Sequence, residues 1–361
     1  AAGDTICVGS GVYTQNVTMA KANLTIQGGY NPVDWAWDPA NQTTTIFGNT
    51  NSPVTVSGAS MTETLSYLTL SGGTASGKAG VAMTTAADTN SLVLESCTIT
   101  RNQNGVYLPN GVVGSHLVFR NTLIANNTSY GIWVDLGSNM GGNTLIYNCT
   151  IANNGNHGYY YYTTSVDKYQ MPVLTNTLVT GNNGYGLYFA YGHDNKASAS
   201  HSLFYGNTNG AWFGYVADLG GNKFSQAPLY VDESNGDYRL QSTSPAAATG
   251  VDLSASGLNN DIVNAVRPGI NGCDMGAYQG SGTGAPPLVA EGYVSMLGND
   301  ANDGTSANPW RSVSYGVGRL SATGTLYVAG GVYTNNVWMG EGRTTIRGGY
   351  DATDWSWSPA Q

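Results

Sequence analysis

SCTITRNQNGVYL at 96–108, NTLIANNTSYGIWV at 121–134, NCTIANNGNHGYYY at 148–161, NTLVTGNNGYGLYF at 176–189 and HSLFYGNTNGAWF at 201–213 are five versions of one phrase. They align on Ile99, Ile124, Ile151, Val179 and Phe204, in steps of 25, 27, 28 and 25 residues. Three residues after each anchor stands an Asn (Asn102, Asn127, Asn154, Asn182, Asn207), and a Gly follows shortly at Gly105, Gly131, Gly158, Gly186 and Gly210. Self-similarity at this period marks a solenoid, in which no unit can bury its apolar side alone and stacking buries it for all. Short β-branched runs punctuated by Asn and Gly favour strands and turns over helices. The expected fold class is therefore all-β: a parallel β-helix with one repeat per coil and neighbouring strands about 4.8 Å apart.

Stacking turns each aligned position into a column. The anchors are expected inside as an aliphatic row, with Cys97, Thr122, Cys149 and Thr177 as a second inward row. Cys97 and Cys149 are then two coils apart, about 9.6 Å, which is beyond disulfide reach, so both are expected as buried thiols. The states of Cys7 and Cys273 stay open. The Asn row is expected at a tight turn, tolerating a left-handed backbone and hydrogen-bonding along the stack. Alternation after each Gly puts Tyr107, Trp133, Tyr160, Tyr188 and Trp212 on the outside, one per coil. Such a stripe either stacks on itself to shield the ladder or serves as a contact surface for sugar rings or a neighbouring rod.

A longer repeat lies over this one. Residues 1–41 recur at 321–361 without a gap, about half of the positions being identical; GVYTQNVTM at 11–19 returns as GVYTNNVWM at 331–339. The second copy is preceded by PWRSVSYGVGRL, in which Trp310, Val313, Val317 and Leu320 share one side of a short capping helix near 310–320. GSGTGAPPL at 280–288 is a Gly- and Pro-rich break. These features divide the chain into a β-helix module at 1–279, a linker at 280–288 and the start of a second module at 289–361. The expected partners are copies of itself or adjacent tandem modules, joined head to tail into a filament or long rod.

The runs GYVSMLGNDANDGTSANPW at 292–310, GTLYVAGGVYTNNV at 324–337 and GGYDATDWSWSPA at 348–360 resemble the opening of bacterial right-handed parallel β-helix surface proteins. LYVDESNGDYRLQSTSPAAATG at 229–250 and VRPGINGCDMGAYQ at 266–279 resemble the closing region of secreted β-helix proteins with varied cell-surface anchors. The resemblance implies a right-handed solenoid at the cell surface or outside the cell. That family includes adhesins, fibres and some polysaccharide-processing enzymes, so function has to be argued from the site.

Charged residues are 10% of the chain and the net charge is -9. That balance disfavours a nucleic-acid partner, which needs clustered Lys and Arg, and no apolar run is long enough for membrane insertion. No cofactor is implied, and calcium is the one ion the acids could take. Asp167, Asp194 and Asp218 follow their anchors by 16, 15 and 14 residues and could share one side of the rod, either as calcium ligands or as an acid and base pair, or else as unconnected loop acids. Asp300 and Asp303, in NDANDG at 299–304, resemble part of a calcium loop, but Ala301 stands where an oxygen ligand is needed. The leading expectation is a structural, adhesive module more than an enzyme. The alternative is a carbohydrate-active β-helix that binds or processes surface glycans.

Overall fold

The computed structural model describes residues 3–21, 23–57, 62–84, 91–110, 115–137, 142–164, 171–190, 197–268, 272–280, 289–300, 302–333, 337 and 344–358. Two compact units divide the chain: Ala1–Tyr230 with Tyr238–Gly282, and Val231–Asp237 with Thr283–Gln361.

The first unit is a parallel β-helix. Its strands form three parallel sheets, running from Thr5–Gly9 to Ala217–Asp218, from Gly11–Thr14 to Lys223–Phe224, and from Val17–Met19 to Gly210–Phe213. The registers confirm the alignment of the repeats: Ile99 pairs with Ile124, Ile124 with Ile151, Ile151 with Val179 and Val179 with Phe204. All five anchors are buried. Two further inward columns complete the core, Leu65, Leu94, Phe119, Ile146 and Leu174 from the first sheet and Val81, Val106, Ile132, Tyr159 and Leu187 from the third. Each such aliphatic side chain contributes about 1.5–3 kcal/mol when fully buried.

The corner between the first and second sheets carries the Cys and Thr row. Thr122 donates its hydroxyl to the carbonyls of Arg120 (2.8 Å) and Leu94 (3.0 Å), and Thr177 likewise to Thr175 (3.1 Å) and Ile146 (3.2 Å). Cys97 and Cys149 use their thiols in the same way, toward Glu95 and Leu65 and toward Tyr147. Burial pushes both thiols up to about 12, and no disulfide joins Cys7, Cys97, Cys149 or Cys273 among the described residues.

The corner between the second and third sheets carries the Asn ladder. Each Nδ2 donates to the Oδ1 of the next: Asn102 to Asn127 (3.1 Å), Asn127 to Asn154 (3.0 Å), Asn154 to Asn182 (2.9 Å) and Asn182 to Asn207 (2.8 Å). The same Nδ2 reaches back to the anchor carbonyl of the coil before, as Asn154 does to Ile124 (3.2 Å). The expected left-handed backbone is one residue earlier, at Arg101, Asn126, Asn153, Gly181 and Gly206. That residue turns the chain so that the following Asn points into the stack, where a left-handed conformation is not needed. The Gly that follows has a spatial reason: a Cβ on Gly131 would lie 2.5 Å from the Gly158 carbonyl oxygen and 2.9 Å from Asn154 Nδ2.

The corner between the first and second sheets has a fixed length, and the other two vary. Leu117 to Ile124, Thr144 to Ile151 and Pro172 to Val179 are all seven residues apart, the first of each pair being aligned by register. The coil lengths differ by one residue at the next corner, seven from Ile99 to Val106 against eight from Ile124 to Ile132, and otherwise between the strands of the third and first sheets, from Leu108 to His116, Gly137 to Thr144, Thr163 to Pro172 and Phe189 to Ser198.

The closing segment packs on the outer face of the second sheet. Tyr230, Tyr238, Leu240, Ile262 and Met275 cluster with Leu123, Ala125, Ala152, Leu178 and Leu203. Arg267, buried, donates to the carbonyls of Asp274, Gly276 and Ala277, which explains why the VRPGINGCDMGAYQ motif needs its arginine: three carbonyls of a turning backbone share one planar fork.

In the second unit the strands Val289–Val294, Leu320–Ala329 and Thr345–Tyr350 form a parallel sheet. The helix is Val313–Gly318, shorter than the expected 310–320, with Trp310 and Leu320 flanking it. Both still join Val294, Val313, Leu326 and Val328 in one cluster, as the one-sided spacing requires.

Candidate functional site

The outer face of the third sheet carries the aromatic residues. Tyr107 pairs with Trp133, Trp133 with Tyr160 and Tyr160 with Tyr188, all half-buried and facing out. Ring centroids lie 4.4 Å apart for Tyr107 and Trp133 and 5.4 Å for Tyr160 and Tyr188.

Trp212 does not belong to this stripe. Leu187 pairs with Trp212 and Tyr188 with Phe213, so the last outward ring is Phe213, which is 43% exposed. Trp212 points inward and packs edge-on against Phe204 and Phe224, over the end of the core. Counting from Gly210 misplaces it by one. From Asn127 to Ile132, Asn154 to Tyr159, Asn182 to Leu187 and Asn207 to Trp212 the interval is five residues, and Ala211 occupies the position of Gly186. Ala is accommodated there because Gly210–Phe213 is the last strand of its sheet, with no further carbonyl stacked above.

A second column, Tyr130, His157 and Tyr185, precedes the Gly of its coil and interleaves with the first. Tyr130 stacks on Tyr160 at 4.7 Å and His157 on Tyr188 at 4.6 Å, almost parallel at 6°. Sequence reasoning missed this column, although its signal, a ring immediately before the Gly in three successive coils, is present. His157 Nδ1 accepts the Tyr185 N–H (2.8 Å), and burial among rings lowers its pKa to about 4. The imidazole is therefore neutral, with Nε2–H left as a donor. Burial, helped by neighbouring phenols and Asp135, pushes the Tyr160 hydroxyl up to about 12, so it stays protonated and able to donate.

Asp135, also missed, pairs in register with Tyr162. Among the described residues of this outer face it is the only charged side chain. At the N-terminal end of the stripe a groove of about 340 Å³ is lined by Asn16, Asn51, Thr55, Lys78, Ala82 and Tyr107 among others.

Of the acid candidates, Asp218, Asp300 and Asp303 are among the described residues. Asp218 lies in the first sheet, where its Oδ1 accepts from the Gly220 N–H and Asn222 Nδ2 in a local turn. Asp167 and Asp194 lie outside the described residues. Asp300 holds the two residues that lead into the lid helix, with Oδ1 accepting from the N–H groups of Arg311 and Ser312 and Oδ2 from the Ser312 hydroxyl. Asp303 closes a turn onto Thr305. Both carboxylates accept hydrogen bonds from neighbouring backbone and hydroxyl groups, and among the described residues no group of three or more His, Cys, Asp or Glu could hold a metal.

The family model described as right handed beta helix region matches residues 40–165 and 138–225. Among solved structures the chain is similar to the crystal structure of pectate lyase Pel9A, at 13% identity and a TM-score of 0.44, over 77% of this chain and 88% of that one. No curated protein matches the sequence.

Proposed function

The chain belongs to the right-handed β-helix family, whose model matches more than half of it, and from that premise we propose an extracellular adhesive module that binds neutral polysaccharide along the outer face of its third sheet. The carrying observation is the continuous aromatic array from Tyr107 to Phe213, adjoining the groove at Lys78 and Tyr107. Rings within the array cover one another, so what it offers a ligand is ring edges, the exposed Phe213 and a row of neutral hydroxyls. Apolar ground set with uncharged donors and acceptors suits a hydroxyl-rich chain without charge. Asp135 in its midst opposes an anionic one.

Binding is favoured over cleavage. A glycosidase uses two carboxyl groups across the scissile bond, and among the described residues this face presents one. The cell-surface location rests on the resemblance of the closing region and on the composition.

Affinity electrophoresis in gels containing neutral glucans, mannans and xylans, beside uronate polymers, tests the reading. Retardation by a neutral polymer, lost in Tyr160→Ala and Trp133→Ala while the far-ultraviolet β signal persists, is the expected result. Retardation by uronate polymers alone, or release of reducing ends or unsaturated products, would replace it with a different activity.

A further inference from the structure

The groove beside the aromatic array exists because one column of the third sheet changes character. Thr18 pairs with Thr55, Thr55 with Ala82 and Ala82 with Tyr107, so the outward position that carries rings from Tyr107 onward carries small side chains before it. The step from Ala82 up to Tyr107 leaves a hollow of about 340 Å³. That lies within the roughly 300–1,000 Å³ of small-molecule sites. Trp133 packs on one side of the Tyr107 ring at 4.4 Å; on the other side the register neighbour is the methyl of Ala82, and among the described residues no second ring meets it. Tyr107 therefore turns a ring face to the groove, where the rings behind it offer edges.

Among the described lining residues Lys78 alone is charged. Its backbone is fixed, the N–H donating to Gln103 Oε1 (3.2 Å) and the carbonyl accepting from Asn104 Nδ2 (3.0 Å). Its ammonium forms no ion pair among the described residues. A half-buried cation without a counter-charge, in a chain of net charge -9, is a place for an anionic group from outside.

We infer that the groove is a subsite for one acidic sugar, a uronate whose ring lies on Tyr107 and whose carboxylate meets Lys78, carried by an otherwise neutral polysaccharide. This rests on the glycan reading above and narrows it. The C–H face of a sugar suits an aromatic face, and a carboxylate suits an ammonium. Sugar hydroxyls find an acceptor at the rim: Asn16 donates its Nδ2 to the carbonyls of Gly48 and Ser52, which leaves its Oδ1 open. The acid fits at this end alone. Asp135 follows Lys78 by two coils, about 9.6 Å along the rod, and repels a carboxylate laid over the array. The two opposite charges give the ligand a direction, and they select isolated acid over the dense charge of a uronate homopolymer.

Small probes test the subsite apart from the array. Methyl glucuronoside and methyl galacturonoside, each beside its parent hexoside, differ from that parent only by a carboxylate in place of a hydroxymethyl group. All four are titrated against the full chain by saturation-transfer NMR at about 0.15 M salt, where long-range repulsion is screened. At least one uronoside should bind about fivefold tighter than its parent, the size expected of one half-exposed charge-assisted hydrogen bond. Lys78→Gln should abolish the difference and Lys78→Arg should keep it. Lys223→Gln, which removes the same charge from the last strand of the second sheet, should keep it too. Neither uronoside exceeding its parent, or an excess that survives Lys78→Gln, overturns the inference. Retardation by polymers decides the array separately: retardation without a uronoside preference leaves the array and removes the subsite, and a preference without retardation does the reverse.

Discussion

Asn154 is the middle rung of the ladder, and its replacement separates hydrogen bonding from packing. Its Nδ2 donates to Asn182 Oδ1 (2.9 Å) and to the Ile124 carbonyl (3.2 Å), while its Oδ1 accepts from Asn127 Nδ2 (3.0 Å) and from the Asn127 N–H (3.2 Å). Asn154→Ala removes all four and leaves the buried Asn127 N–H without that acceptor. An orphaned buried donor costs about 1–3 kcal/mol and each of the three remaining bonds about 0.5–1.5 kcal/mol net, so the loss should be at least about 2.5 kcal/mol at any pH near neutrality. Asn154→Asp keeps the acceptor side but points an acceptor at two others. Its carboxyl is then hard to ionise, and the folded-state pKa rises above the unfolded value of about 3.9. With the folded pKa raised, the penalty is absent below the unfolded value and grows as pH rises through the folded one. Urea unfolding followed by tryptophan fluorescence should find the Asp variant closer to the parent at pH 4 than at pH 7, with the Ala variant showing no such trend. A loss below about 1 kcal/mol for Ala, or parallel pH profiles for the two, would refute the claim that the ladder holds the coils by hydrogen bonds.

Three further outcomes follow from buried groups. His157 has its pKa lowered from 6.5 to about 4, so its contribution is complete above pH 6.5 and lost as pH falls toward 4; His157→Gln should flatten the decline of the unfolding midpoint across that interval. Glu63 is fully buried, neither carboxylate oxygen has a hydrogen-bonding partner elsewhere in the described residues, and burial raises its pKa from 4.5 to about 7. The ionised form is the unfavourable one, so Glu63→Leu, matching Leu92 in the next coil, should raise the thermal midpoint more at pH 8 than at pH 5. Trp212→Ser should destabilise by about 2 kcal/mol or more because it opens the end of the core, whereas Phe213→Ser, on the outside, should cost less than about 1 kcal/mol in the same melt.

The coil was legible in the sequence because a solenoid repeats its interface: the anchors, the Asn row and the Cys and Thr row each had to match the coil above, so physical necessity appears as sequence period. What failed to be legible was local. Gly105, Gly131, Gly158 and Gly186 are fixed by close approach of the next coil, but Gly210 opens its strand at a φ of 116°, one residue before the position of close approach, and nothing in its one-letter code distinguishes the two. Parity read from it sent Trp212 outward when it belongs inside. The left-handed residue was placed on Asn102 and its equivalents when it is their predecessor, since Asn suits both a turn and a ladder. The interleaved rings of Tyr130, His157 and Tyr185 were visible as a column, yet their partnership with the stripe depends on the twist of the corner. The arginine of the closing motif was recognisable by resemblance only, because the three carbonyls it gathers come together only when that segment folds.

The unequal corner has a consequence for how such a chain can change. Leu117, Thr144 and Pro172 start segments of constant length through two corners, and from there on the return from the third sheet absorbs the differences in coil length, the coil of Ile99 being also one residue shorter at the second corner. Residues can be inserted there without shifting any rung, thiol or anchor out of register, because the ladder counts only from the first sheet onward. Novelty is thereby confined to one edge of the rod, the edge next to the aromatic face. Descendants of this sequence can differ in length at that edge while inheriting an unaltered scaffold.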